Sequence, residues 1–303
     1  MRGFIGLSKR NLLLYFKDVQ AVIFSLLTSI IVFVLYLLFL KNNYVEAMEH
    51  AVGMLEGLID TADIDMMVNG LLLTGIMGSA LVTVPYNCLT TIVKDRENRI
   101  DYDISATPMK RWQIILSYFV SSWISAVVIS SVILTVGLLV LSSMGDICLS
   151  ASEIARLYGV ILLGAVSATA FFMILMLFFK SPSASGAFFG MLSAAAGFVI
   201  GAYIPVSDFS DTVQTVCNIC PASHVTVLFR KVLLSGVLEK INQDIGGIDK
   251  GAFAEAIRKI YVFQPSMFGE LIETSDSILY IGAGAVICIL VMIFLYSMTY
   301  KRK

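Results

Sequence analysis

Read from its N-terminus, the chain alternates between long stretches without one ionisable side chain and short stretches crowded with them. Six charge-free runs stand out, at residues 19–40, 66–93, 112–145, 157–179, 181–207 and 277–300. A helix needs about 20 apolar residues to cross a hydrocarbon core of about 30 Å. A single charge at mid-bilayer costs about 2.5–3.5 kcal/mol on insertion scales, so six uninterrupted runs are a membrane signature. The pattern predicts an all-α, polytopic membrane protein with six transmembrane helices, the fourth and fifth set at 155–179 and 183–206. The first run follows 18 residues and is about twice as long as the apolar core of a signal peptide, so it is expected to stay as a span. Residues 2–18 predict an amphipathic interfacial helix. Phe4, Ile5, Leu12 and Phe16 fall on one side at helical spacing, and Arg2, Lys9, Arg10 and Lys17 gather on another, a pattern suited to a headgroup surface or a partner in the cytosol.

The densest polar stretch is "VKDRENRIDYDISATPMKRW", residues 93–112, with nine charged residues. Thr107 is placed to cap the third span, Pro108 suits a first helical position, and Trp112 suits the interface. Residues 94–108 are then a short stiff helix in which Asp95 and Arg99, four apart, can pair. Lysine and arginine favour the cytosolic side of short loops. They collect before the first span, in 94–111 and at Lys301, Arg302 and Lys303, whereas the loop 41–65 sets Lys41 against Glu46, Glu49, Glu56, Asp60, Asp63 and Asp65. Both termini and the 94–108 helix are therefore expected in the cytosol of a cell-membrane protein. A further charge-free stretch, "TVQTVCNICPASHVTVLF" (212–229), is short, polar in its middle and interrupted by Pro221 and His224. A seventh crossing would carry the basic C-terminus outside, so it reads as a hairpin dipping back into the outer leaflet, with an apolar patch on an outer loop as the alternative. Residues 207–276 form this re-entrant and cap region, with a helix at 253–262 and no recognisable chemistry after Arg230.

The fifth span carries Gly186, Gly190, Ala194, Gly197 and Gly201. Small residues four apart let helices approach closely in lipid, either at a subunit seam or within the chain. Gly282-Ala283-Gly284 in the last span reads the same way.

Composition narrows the function. Of 303 residues 58% are hydrophobic and 14% charged, against about 25% charged in soluble domains. Net charge is −1, and no basic cluster interleaved with aromatics suggests nucleic acid. Only His50 and His224 are present, and neither the HExxH nor the GxSxG pattern occurs. Cys217 and Cys220 have redox spacing; packed thiols, a disulfide and a metal site with His224 all remain open. The spans hold no acidic or basic residue of the kind that marks an ion relay. The phosphate-binding GxxxxGK[ST] pattern is absent, so energy for any transport is expected from another chain.

Six spans, an amphipathic N-terminal helix, "DRENRIDYDISATP" between spans two and three, and "CPASHVTVLFR" before the last span together resemble the permeases of bacterial ABC type-2 exporters, which share an ABCG-like fold. The resemblance implies that residues 94–108 are a coupling helix set in a groove of a separate ATPase subunit. Arg96 and Glu97 fall on the family's Arg-Glu positions, and Asp95 and Arg99 join them by proximity and charge. Many members have a glycine shortly after that glutamate, where Asn98 and Arg99 stand here. Residues 2–18 match the connecting helix, and Pro221, His224 and Arg230 fall in re-entrant helices near an outer gate. The family pairs two permease copies about a two-fold axis, with spans two and five along the cargo path. Met77, Leu81 and Tyr86 are the implied lining of span two, which Pro85 is expected to kink, and Phe188, Phe189 and Met191 of span five. The chain itself is expected to hold no cofactor, ATP and magnesium belonging to the partner ATPase. Partners implied are that ATPase, a second permease copy, membrane lipid, and a drug, antimicrobial peptide or lipid-like cargo. Polysaccharide export, a gradient-driven transporter, a lipid enzyme and a peptide-sensing subunit are the rival readings.

Overall fold

The computed structural model describes residues 2–41, 44–46, 59–246 and 251–299. Glu49, His50, Glu56, Gly247 and Lys301, Arg302 and Lys303 lie outside the described residues. The fold is helical: α1 (Arg2–Lys17), α2 (Val19–Leu35) continuing through a π-turn (Tyr36–Leu40), α3 (Thr61–Glu97), α4 (Ile100–Ala106), α5 (Arg111–Met144), α6 (Ala151–Met176), α7 (Pro182–Val199), α8 (Asp211–Ile219), α9 (Pro221–Asp244), α10 (Ala252–Ile260) and α11 (Thr274–Thr299). A two-residue antiparallel pair, Ser266–Met267 with Glu270–Leu271, precedes α11. Helices α3, α5, α6, α7 and α11 are each long and apolar enough to span a bilayer, and α1 with α2, bent by 71° between them, make up a sixth candidate span. The chain is an all-α polytopic membrane protein.

Helix α3 is the axis of the molecule. Its 37 residues span about 55 Å at 1.5 Å per residue, well beyond the hydrocarbon core. It is nearly all buried because α2, α5, α6, α7 and α9 pack around it. Pro85 lies inside α3, which stays helical through it. The start is capped by Asp60, whose carboxylate accepts from the Ala62 N–H at 3.0 Å. Two buried clusters share α3. One, away from α4, joins Val68, Met77, Leu81, Ile161, Leu234 and Phe253. The other, toward α4, joins Tyr86, Leu89, Val93, Ile115, Met173 and Met292.

The hairpin of α8 and α9 penetrates between the spans from the end opposite α4. At Gly78, midway along α3, an added Cβ would stand 2.2 Å from Thr226 Oγ1 near the start of α9. At the far end Lys240 pairs with Asp63 at 2.6 Å. The ascending limb therefore runs along the half of α3 away from α4. The segment after Arg230, read from sequence as part of a mixed-charge cap, is instead the continuation of α9 to Asp244. Leu233, Leu234, Val237, Leu238 and Ile241 keep its apolar face buried, and that periodicity outweighs the four charges from Arg230 to Lys240. The capping helix α10 lies at Ala252–Ile260.

The start of the third span also differs from the expectation. Thr107 ends α4 rather than starting α5, with its hydroxyl donating to Ile104 O at 2.6 Å. Pro108 then enforces extended backbone before it, and α5 begins at Arg111, with Gln113 Oε1 accepting from the Lys110 N–H at 2.9 Å.

Candidate functional site

The α4 end of the molecule is where polar side chains converge. Helix α3 does not stop where its apolar run ends at Val93; it runs on to Glu97, so Asp95, Arg96 and Glu97 occupy its last turn and only Ile100–Ala106 form the short separate helix. Arg99 joins the two in a left-handed conformation, φ 60°. That geometry suits glycine, and Arg99 adopts it against the steric cost of its Cβ.

Asp95 does not pair with Arg99. It is 3% exposed and turned into the protein. Arg10 of α1 grips it with both terminal nitrogens, Nη2 to Oδ1 at 2.8 Å and Nη1 to Oδ2. The Tyr118 hydroxyl of α5 donates to Oδ2 at 2.6 Å. A bidentate Arg–carboxylate pair with a third donor is a strong, oriented contact. It raises the Arg10 pKa further, the hydrogen bond to Asp95 being the main cause. Beside it Lys94 meets Asp18 at 2.6 Å, and that hydrogen bond holds the Asp18 carboxyl below its usual value. Asp18 also caps α2 through the Ala21 N–H, so one residue fixes both the 71° elbow and its link to α3.

Arg96 is likewise spent inside the chain. Its Nη1 donates to the carbonyls of Met176, Leu177 and Phe179 at 3.4, 3.2 and 2.5 Å, satisfying acceptors that the end of α6 leaves free. Arg111 does the same for α11 through Ser297 O at 2.7 Å. Within the chain both Asp95 and Arg96, two of the residues that the resemblance implies at an ATPase contact, act as internal braces, because each finds an opposite charge or a helix end within reach. Glu97, Asn98, Arg99, Tyr102 and Asp103 remain exposed, with Tyr102 at 71%. They form an open corner of mixed charge around one aromatic ring, braced to α1, α5 and α6. Asp101, half-buried, has its carboxyl pushed up by burial.

Helix α1 packs against the bundle through a narrow face. Asn11 and Tyr15 are the residues it buries, and Ile5 is 63% exposed. Arg2, Lys9 and Lys17 stay exposed, while Arg10 leaves the basic group for Asp95. Nothing in periodicity could single out Arg10, since its partner lies 85 residues away. Tyr102 and Tyr118 were also missed; an aromatic inside a charged run was the available signal for Tyr102.

Of the residues set along a cargo path, Met77, Leu81 and Tyr86 are buried at 0%, 1% and 0% and face no opening in the protomer. Burial on every side of α3 is the physical reason. The Tyr86 hydroxyl donates to Ser185 O at 2.8 Å, and its ring lies 5.9 and 5.6 Å from those of Phe188 and Phe189. Phe188 and Phe189 are therefore half-buried, and only Met191, 69% exposed, points outward.

The glycine ladder divides. An added Cβ at Gly186 or Gly190 would touch nothing within 4 Å, and the same holds at Gly282 and Gly284. At Gly197 it would meet the Tyr203 ring at 2.2 Å, and Gly201 has φ +67° at the turn that ends α7. The first pair faces open space, and the second pair shapes the chain's own turn.

In the re-entrant hairpin Pro221 opens α9 at a position where its missing N–H costs nothing. His224 is fully buried, with Nε2 2.7 Å from Asn218 O and Nδ1 3.2 Å from Ser277 Oγ. Arg230 is buried and donates to Tyr261 O at 2.9 Å, Ile200 O at 3.1 Å and Gly201 O at 2.7 Å. It locks α9, the α7 turn and the cap together. Cys217 and Cys220 are free thiols, and among the described residues no group of three His, Cys, Asp or Glu is placed to hold a metal.

A bundle of five or six candidate spans with a helical hairpin at one end and a charged elbow at the other is the architecture of a polytopic membrane protein. Compared with known families, residues 58–300 match the one described as ABC-2 family transporter protein; the chain belongs to that family and is a membrane permease. No curated protein matches it.

Proposed function

We propose that the chain is the permease half of an ATP-driven exporter that works with two copies of a separate ATPase and a second copy of itself. The supporting observation is the exposed corner of Glu97, Arg99, Tyr102 and Asp103, fixed to a helix that runs through the centre of the bundle. A force applied there reaches the α9 hairpin through rigid, buried packing rather than through a loose loop. Closure of the ATPases on ATP and magnesium, both held by the partner, would tilt α4 with α3 and α1 and part the copies on the far side. The termini and α4 then lie in the cytosol of the cell membrane. Apolar exposed surface on α7, including Met191, suits a hydrophobic or amphiphilic cargo such as a drug, antimicrobial peptide or lipid-like molecule.

Purification in mild detergent tests this. An ATPase subunit should co-purify with the wild-type chain and be lost in Glu97→Arg, while the variant keeps its melting temperature. A lone chain that transports in ATP-free liposomes would overturn the reading.

A further inference from the structure

A crevice of about 540 Å³ opens sideways between α2 and α5, over the outer half of α3. Its floor is Leu72, Leu73 and Leu141, each under 10% exposed, and its walls include Phe33, Val136 and Val140, which are 41%, 54% and 52% exposed on the membrane side. The volume lies in the range of small-molecule sites. Two features separate it from an ordinary dent in a lipid-facing surface. At its inner part Ser29 is 5% exposed, and its hydroxyl has no hydrogen-bond partner. At its mouth, away from α4, stands Lys41, with the exposed Asp65 3.3 Å from its ammonium.

An unpaired hydroxyl in hydrocarbon is unfavourable unless something bonds to it. A plain hydrocarbon chain would leave that cost standing. Ser29 and Lys41 are separated by twelve residues of continuous helix, about 18 Å along the axis. A ligand that reaches both is elongated, with a charged end that shares the Lys41 ammonium with the exposed Asp65 and a polar oxygen partway along an apolar body. We infer that the crevice binds an acyl amphiphile from the leaflet opposite α4, with its anionic head at Lys41 and a mid-chain oxygen at Ser29. The site rests on the fold alone, so its failure would leave the ATPase assignment untouched, and the reverse.

The test compares stearate with 12-hydroxystearate on the full-length protein in nanodiscs, by displacement of a diazirine-bearing stearate whose adducts are mapped by peptide mass spectrometry. Adducts should concentrate on the peptides carrying residues 26–33, 69–76 and 132–144. The hydroxylated acid should displace the label about five-fold better than stearate, the value of one net buried hydrogen bond. Ser29→Ala should abolish that preference without changing stearate binding. Val136→Trp, placed on a half-exposed wall, should close the crevice and remove the adducts there while leaving those on α11 unchanged. Even labelling of all lipid-facing helices, equal displacement by the two acids, or a preference that persists in Ser29→Ala would each overturn the inference.

Discussion

At the residue scale, Asp95 carries the heaviest electrostatic responsibility in the chain. Its carboxylate is buried and its compensation comes from Arg10 and Tyr118. Removing it in Asp95→Ala leaves a cation without its partner and should cost about 3 kcal/mol, the low end for a broken buried pair because Arg10 keeps some contact with water. Arg10→Ala with Asp95→Ala should recover part of that loss in detergent thermal melts, and strict additivity would show that the two do not interact. Arg99 makes an opposite case. Its left-handed backbone costs about 1 kcal/mol in any residue with a Cβ, so Arg99→Gly should raise the melting temperature, provided the turn rather than the guanidinium matters there. Asp18 sets the acid limit of the elbow. Its folded pKa is depressed, chiefly by Lys94; the resulting stability is complete above the unfolded value of 3.8 and is lost as pH falls through the lower folded value. The α1 amides should therefore keep constant hydrogen-exchange protection from pH 8 down to about 5 and lose it only in stronger acid. None of these partnerships was legible in the sequence, because each joins segments separated by tens of residues, and local spacing offered Asp95 a nearer false partner in Arg99.

At the element scale, the spans themselves were legible, since a charge-free run long enough to cross the hydrocarbon core is rarely anything but a span. Their neighbours were not. The conspicuous glycine ladder drew attention to α7, yet close helix approaches are also made at glycines on α3. Gly70 receives Leu234 and Gly78 receives Thr226, eight residues apart on the side facing α9. Eight is twice the familiar spacing of four, and with Thr74 between them the pair is easily overlooked. The difference predicts an asymmetry. Gly78→Val should destabilise the protomer by about 1–3 kcal/mol through overpacking, whereas Gly190→Val should leave its melting unchanged. Should Gly186 and Gly190 form the seam with a second copy, a leucine at both would convert dimer to monomer in size-exclusion chromatography without unfolding it. The extension of α9 past Arg230 was hidden for a related reason. Its charges flank the apolar stripe that packs against α3, and a scan for charge-free runs ends at the first of them.

At the scale of the whole molecule, the arrangement of α3 decides how a signal could cross. One helix runs the full height, is braced at one end by Arg10, Tyr118 and Asp18, and is wedged at its middle by the hairpin. Movement of the corner at Glu97 must therefore slide α3 against either the hairpin or the turn after α7. Gly75 marks the second contact, where an added Cβ would sit 3.1 Å from that of Ala202. That is slightly closer than a disulfide prefers, so a shift of a few tenths of an ångström would accommodate one. A Gly75→Cys, Ala202→Cys pair should then oxidise readily and pin the outer half of α3 to the turn. Such a protein should still bind its ATPase, because the α4 corner is far from the bond, yet lose ATP-driven cargo movement until a reductant is added. Full transport in the oxidised state would mean that the push bypasses α3 and travels instead through α1 and α2.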